Sequence, residues 1–249
     1  MKIKLFIMAV LVASALSACS LRFSTNKEEN GKIIEKTFDI KDFNSLELGG
    51  YAKVYYTVGD TFSVRVSTAE GDMKKIKVEN SDSTLLIGNV PDADINSRIW
   101  RLNNRTWNER KVYVTAPYLK NISVAGAADI ICNDTIVTED FCVSIAGAGK
   151  AHFACVKAHD VDLSIAGAAS ITADIQDAAW TELGMAGAGT MDIGFHDCVE
   201  SRAQVAGVGS IKLRGVLGTL QQKVAGVGKI NTDKLTLTGK KYSSKDDKE

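Results

Sequence analysis

The sequence predicts an all-β fold, a parallel β-helix (solenoid) of about 20 residues per coil. Three observations predict it: a block of small residues recurs at a fixed spacing, apolar and polar residues alternate within the blocks, and no helical periodicity separates them. A fixed period of this length is typical of architectures in which each repeat stacks on the next. The pattern therefore defines the fold much better than it defines the function.

Six blocks form the repeat, and their central glycines are spaced by 21, 20, 20, 20 and 19 residues. These glycines are Gly126, Gly147, Gly167, Gly187, Gly207 and Gly226. Large apolar residues share the glycine's face, as Ile165 and Ile171 do with Gly167, so we expect that face to point inward. We expect glycine there because opposing walls of a narrow coil would approach too closely for a side chain.

The domain is expected to span residues 38–239, with an irregular part at 38–122 and regular coils at 123–239. In the irregular part, Glu47 to Val54 matches the repeat block with Gly50 at the central position. Further strands are expected at Phe62–Val66, Ile76–Val78, Leu85–Ile87 and Val112–Ala116. Terminal units of solenoids are usually atypical because they cover open sheet edges, so this part is expected to form an N-terminal β cap.

The N-terminus predicts export and a lipid anchor. Residues 1–18 have a basic start and an apolar stretch too short to cross a membrane, which is typical of a cleaved signal peptide. The sequence from Leu16 to Cys19 resembles the lipobox of bacterial lipoproteins, which implies lipidation of Cys19 and anchoring in the cell envelope. The alternative is an ordinary secretory signal with an incidental cysteine. We expect the outer membrane, with its periplasmic or surface face left undecided.

Polar segments flank the expected domain. Residues 19–37, after the lipidated cysteine, are expected to form a flexible tether. Residues 240–249 are highly charged and are expected to form a disordered tail.

Charge and cysteine content exclude several classes of partner. The formal net charge is zero, so no nucleic-acid partner is expected. Four cysteines lie in the expected domain, namely Cys132, Cys142, Cys155 and Cys198. Export would allow two disulfides in any of three pairings, but we favour mostly buried free thiols. The spacing does not match a zinc site, and neither a metal nor a cofactor is expected.

One candidate packing face is a column of outward alanines, Ala125, Ala146, Ala166, Ala186, Ala206 and Ala225. A second column runs beside it, from Ala127 through Ala148, Ala168 and Ala188 to Val208 and Val227. Flat, weakly apolar strips often mark contacts with protein, so a second copy of the chain, an N-terminal segment or another protein would fit this face. The alternative is that alanine simply suits a tight corner.

A second candidate is the segment from 98 to 110, which is rich in arginine and tryptophan. Guanidinium groups pair with anions, and indole rings stack on sugars, so this segment would suit an anionic or glycan partner. Its candidate binding residues are Arg98, Trp100, Arg101, Arg105 and Trp107. The alternative is a polar loop whose tryptophans cap the end of the stack.

No catalytic residues are evident. Asp160 and Asp162 share a face, but no aromatic residue or basic partner lies near them in sequence. Parallel β-helices include polysaccharide lyases and hydrolases, so a carbohydrate-active enzyme remains the alternative to an adhesive or structural role. A third reading is an envelope module for ligand binding or signalling.

The chain resembles the DUF2807 family of auto-transporter adhesin head (GIN) domains. The residues that carry the resemblance are Phe43 to Val54 and Val112 to Ile122, which run directly into the first glycine block. The resemblance covers about residues 38–238. It implies a right-handed β-helix, an exported or lipid-anchored setting and an adhesive or structural role, and it brings no catalytic residue set.

Replacing Cys19 with alanine should release the protein from membranes, because the thiol that carries the lipid is lost. Fractionation of cells into membrane and soluble pools measures this. A Cys19→Ala protein that still sediments with membranes would contradict the lipid anchor.

Overall fold

A computed structural model of the chain describes residues 32–89 and 110–245, and these residues are all-β apart from one short helix. Twelve strands form one open sheet, with β1 at one end of the main strand order and β11 at the other. The strands are β1 (Ile33–Phe38), β2 (Ser45–Val58), β3 (Ser63–Ala69), β4 (Ile76–Ser81), β5 (Thr84–Asn89), β6 (Lys111–Ala116), β7 (Asn121–Gln176), β8 (Trp180–Gly187), β9 (Thr190–Gly207), β10 (Ser210–Gly226), β11 (Lys229–Leu237) and β12 (Lys241–Lys245). The helix, α1 (Glu70–Met73), lies between β3 and β4.

Successive repeats pair in parallel and in register. Gly167 pairs with Gly187, Gly187 with Gly207, and Gly207 with Gly226. The earlier glycines continue the same column, because Gly126 pairs with Gly50 and the backbones of Gly126 and Gly147 are in close contact. The predicted register of the glycine blocks is therefore confirmed, including the match of the block around Gly50. We call this column the glycine ladder and each segment that adds one step to it a rung.

The N-terminal part departs from the repeat as predicted. Strand β3 pairs antiparallel with β1 and β6, and β4 pairs antiparallel with β5. Strands β5 and β6 then pair in parallel with β2, which carries the first glycine of the ladder. Three of the four strands expected in this part lie within β4, β5 and β6, and the fourth corresponds to β3 but begins one residue later than expected, at Ser63.

A continuous apolar core follows the alternation of each strand. Ile165 and Ile171 are buried, as are the corresponding residues Met185 and Met191 of the next rung. The core extends from Phe43 to Leu220, and its largest side chains are phenylalanines. Phe141 and Phe153, for example, meet edge to face with their ring centroids 5.2 Å apart. Apolar burial on this scale is the main favourable term in folding.

The expected reason for the ladder glycines is wrong. At Gly187 the backbone has φ +128°, and an added Cβ would lie 2.5 Å from the carbonyl oxygen of Gly167 on the preceding rung. The excluded space is thus along the stack, between neighbouring rungs, and not between opposing walls of the core. The glycine is also half-buried and not part of the core. Positive φ and contact between stacked backbones together require glycine.

Strands extend beyond both expected ends of the domain. Strand β1 starts at Ile33, inside the expected tether, and its residues pair with β3 up to Phe38 and Val64. Strand β12 lies inside the expected tail and pairs with Leu220 to Val224 of β10. Ile34 and Phe38 of β1 are partly buried against the core, whereas β12 is ordered by backbone pairing with β10. The expected signal peptide and Cys19 lie outside the described residues.

The four cysteines of the domain are free thiols. Cys132 and Cys198 are buried, and Cys142 and Cys155 are half-buried. Burial raises the pKa of the Cys132 thiol to about 11, so it stays protonated at neutral pH.

Gly187→Ala should destabilise the protein, because it puts a side chain at positive φ and against the Gly167 carbonyl. We expect a loss of about 1–3 kcal/mol, with Tm falling by roughly 2–4 °C per kcal/mol in a domain of this size. Thermal unfolding followed by circular dichroism measures it.

The matched control is Gly184→Ala, three residues away on the same strand. A Cβ there would find its nearest neighbour, Ser164 Cβ, at 4.0 Å, so the variant should be as stable as the parent. Equal Tm values for the two variants would contradict the account of the ladder.

Candidate binding surface

A column of alanines lies on the outer surface of the repeat. Ala166, Ala186, Ala206 and Ala225 occupy matching positions on four consecutive rungs. Each follows an inward residue such as Ile165, so the alternation turns it outward. The first three are exposed and Ala225 is half-buried.

These four alanines form the floor of a groove of about 440 Å³, which we call the alanine groove. Its polar rim consists of Ser144, Ser164, Glu182, Gln204 and Lys223. The remaining residues of the expected face, Ala125 and Ala146, lie on β7 outside the groove lining; Ala146 is exposed and Ala125 half-buried. The groove therefore combines a floor of methyl groups with hydroxyl, amide and charged groups along its sides.

The second column of small residues lies on the other side of the glycine ladder. Ala168, Ala188 and Val208 line a shallower depression of about 460 Å³, with Asp129 and Lys150 at one side. The Lys150 backbone N–H donates to the Asp129 carboxylate at 3.1 Å. Val208 is 69% exposed, which leaves an apolar side chain in solvent at this corner.

A column of charged groups runs beside the alanine groove. Asp162 pairs in register with Glu182, Glu182 with Arg202, and Arg202 with Gln221. Burial, followed by the nearby Glu182 carboxylate, raises the pKa of Asp162. Like charges on adjacent parallel strands repel, so this column is under electrostatic strain at neutral pH.

Trp180 completes a cluster at the edge of these carboxylates. It pairs in register with Asp160 on one side and Glu200 on the other. The Arg202 guanidinium lies 5.6 Å from the Trp180 ring centroid, within the range of a cation–π contact. Trp180 also shares a depression of about 150 Å³ with the two aspartates, Asp160 and Asp162, and with Glu182.

No aromatic or basic partner is expected near Asp160 and Asp162 in sequence, but the structure places Trp180 and Arg202 beside these carboxylates. The aromatic residue lies one repeat further along the chain, and parallel pairing brings it alongside. An offset of 20 residues from Asp160 points directly to Trp180, and an offset of 20 from Glu182 points to Arg202. The periodicity that predicted the fold was the signal that could have found this cluster.

A separate ion-pair cluster lies at Arg214. Its Nη2 is 2.6 Å from an Asp174 carboxylate oxygen, and its Nε is 3.2 Å from Asp192 Oδ1. Gly194 occupies the register position between Asp174 and Arg214, and a side chain there would collide with both groups. The glycine lets one arginine reach past a rung to a second carboxylate. This arrangement is structural, since its charges are already paired.

Other expected sites cannot be placed. Arg98, Trp100, Arg101, Arg105, Trp107 and Cys19 all lie outside the described residues. Within residues 32–89 and 110–245, no group of three or more His, Cys, Asp or Glu side chains is arranged to hold a metal ion. In the same ranges no helix has the length and apolar character needed to cross a membrane.

Asp162→Asn should raise the stability of the protein at neutral pH. Because the folded pKa of Asp162 lies above its unfolded value, the native state loses stability as pH rises through that interval. The amide removes this penalty, so Tm should increase at pH 7 and match the parent near pH 3, where both states hold the proton. Asp160→Asn, on the same strand, is the control and should give no gain. A Tm difference that is equal at both pH values would contradict the raised pKa of Asp162.

Comparisons with solved structures agree with an all-β fold. A "putative adhesin" from Bacteroides fragilis is 20% identical, with a TM-score of 0.63 over 86% of this chain and 96% of that chain. A "putative adhesin" from Parabacteroides distasonis is 15% identical, with a TM-score of 0.58 over 86% and 98%. A "putative lipid binding protein" from the same species is 15% identical, with a TM-score of 0.51 over 86% and 98%. These identities establish similarity of fold alone.

No curated protein matches the chain significantly. A family model does match, over residues 42–175, with the description "Putative auto-transporter adhesin, head GIN domain". The match covers more than half of the chain and includes β2, three of the glycine blocks and the first half of the alanine column. The chain belongs to the DUF2807 family.

Proposed function

We propose that this protein is a lipid-anchored binding protein of the bacterial cell envelope, adhesive in role, whose ligand lies along the alanine groove. The observation that carries the proposal is the groove floor of Ala166, Ala186, Ala206 and Ala225, of which the first three are exposed, with polar residues along its sides. The description of the family as adhesins supports the same role.

The shape of the groove suits an extended ligand. Four in-register strands about 4.8 Å apart give a floor roughly 14 Å long across the rungs. Methyl groups on this floor permit close approach, while the Ser164 hydroxyl, Gln204 amide and Glu182 carboxylate can hydrogen-bond to a ligand backbone or to sugar hydroxyls. A glycan, a protein segment or a second copy of the chain would each fit these dimensions.

The envelope setting and the finer fold belong to the same proposal. The sequence from Leu16 to Cys19 supports lipidation, with the outer membrane as the site of anchoring. Parallel pairing that recurs every 19 to 21 residues supports a right-handed β-helix. A rigid stack of this kind would hold the groove away from the membrane at the end of a lipidated N-terminus.

A carbohydrate-active enzyme is the second candidate, favoured by the cluster at Trp180. Asp162 and Glu182 lie on adjacent strands, and an indole ring lies beside them. Glycoside hydrolysis uses two carboxylates about 5–9.5 Å apart, and sugars commonly stack on aromatic rings. A third candidate is a ligand-binding module, since one similar structure bears the name of a lipid-binding protein and the alanine floor would accept an acyl chain.

Ala186→Glu should reduce ligand binding at least tenfold, because it places a charged side chain on the groove floor without entering the core. Binding of labelled full-length protein to intact bacterial cells and to a panel of immobilised polysaccharides measures the effect. The mass in solution is determined alongside, since a change in it would identify a second copy as the ligand.

The matched control is Val199→Glu, which adds the same charge at a residue that is 62% exposed and outside the groove. Equal binding by the two variants would exclude the groove as the ligand site. The same polysaccharides are assayed for new reducing ends or unsaturated products. Cleavage that is lost in Glu182→Gln would favour the enzyme instead.

A further inference from the structure

The last rung of the ladder has an edge without a partner strand. We call residues 229–245, which contain β11 and β12, the terminal rung. Both strands pair in parallel with β10. Among the residues 32–89 and 110–245, no other strand pairs with either of them. Their outward backbone N–H and C=O groups therefore form a template for a further strand.

The side chains of the terminal rung also lack cover. Ile230 pairs with Ile211 and Leu237 with Leu217. Ile211 and Leu217 are fully buried, whereas Ile230 and Leu237 are only partly buried although they occupy the same inward columns. A strand added to β11 would bury this remaining apolar surface.

The charge of the terminal rung is strongly biased. It contains five lysines and one aspartate, which gives a net charge of +4 (5 − 1). The lysines are Lys229, Lys234, Lys240, Lys241 and Lys245. Among the ion pairs found in the described part of the chain, none involves a residue of this rung. Lys241 instead donates a hydrogen bond to the Thr232 hydroxyl at 3.0 Å.

The opposite end of the sheet is different. There β1 is an antiparallel strand of mixed charge, in which Glu35 pairs with Arg65 at 2.9 Å and Lys36 lies over the Phe38 ring. Short edge strands with such paired charges discourage further strand addition. The terminal rung combines a net positive charge with incompletely buried apolar residues, and together these favour a negatively charged partner.

We propose that the terminal rung binds an extended acidic segment of another protein, which adds as a strand along the edge of β11. Main-chain hydrogen bonds would supply affinity, as in other cases of strand addition, and carboxylates facing the lysines would supply specificity. A second copy of this chain is disfavoured as occupant, because pairing two such edges would bring two lysine-rich rungs together. The site is separate from the alanine groove.

The test uses full-length protein and a fluorescent eight-residue peptide of alternating glutamate and valine, with binding followed by anisotropy and by amide hydrogen exchange. We expect the peptide to bind and to slow exchange in β11. Lys234→Glu should weaken binding roughly tenfold, since one favourable charge contact becomes repulsive. Lys212→Glu, a charge reversal on β10, is the matched control and should have a smaller effect, because its strand is paired on both sides.

Two further kinds of peptide separate strand addition from general attraction. Two versions of the acidic peptide are N-methylated at every second amide, one at the odd and one at the even positions. Both keep the charge of the peptide, but one of them has lost the N–H groups that would face β11. At least one of the two should therefore not bind. A lysine–valine peptide should not bind either.

Failure of the acidic peptide to bind at about 1 mM would overturn the proposal, as would equal binding by the methylated peptides or equal loss in the two charge variants. Dimerisation of the free protein with protected β11 amides would identify a second copy as the occupant and would overturn it as well. Ala186→Glu should bind the peptide like the parent, which keeps this site distinct from the groove.

Discussion

The backbone contact between one ladder glycine and the next is the constraint on which the rest of the structure depends. The Gly167 carbonyl accepts a hydrogen bond from the Ala188 N–H at 3.0 Å, and the Gly187 carbonyl accepts one from Val208 at 3.0 Å. The same oxygen lies where a Cβ of the next glycine would stand. Hydrogen bonding and the exclusion of a side chain thus have one geometric origin. Successive rungs can therefore stack closely only because a glycine recurs at the same position in each rung.

Because the rungs stack in register, side chains about 20 residues apart in sequence lie next to each other. Side chains remote in sequence form columns, and each column acquires its own chemistry. Glu182 repels Asp162, whereas Gly194 leaves room for Arg214 to reach Asp174. The first arrangement costs stability at neutral pH, and the second regains some because one cation contacts two carboxylates and reduces the repulsion between them. Local sequence around any of these residues gives no sign of its neighbours.

The register, the outward alanines and the four strands of the N-terminal part could be predicted from the sequence, because period-two alternation and glycine spacing act directly on the backbone. The direction in which a side chain at the ladder glycines would point could not be predicted. Alternation places these positions on the inward side, whereas the positive φ would point an added Cβ along the stack. The strands beyond the expected ends of the domain were not predicted, for a different reason. Strand β12 is polar and is held by pairing with β10, so hydropathy does not mark it. In β1 the partly buried Ile34 and Phe38 are separated by Glu35 and Lys36, which conceals the strand pattern.

The stack of rungs ends at the terminal rung, whose edge has no further rung to pair with. The side chains of that rung therefore determine which partner its edge would bind. Internal rungs bury Ile211 and Leu217 completely because a neighbour lies on both sides, and the corresponding Ile230 and Leu237 lose one neighbour. Apolar residues left at an edge would promote association between identical chains, and the excess of lysines there opposes it by mutual repulsion. The same lysines leave the edge complementary to carboxylates. The positive charge that opposes pairing between two copies of this edge would therefore also make the edge prefer acidic strands.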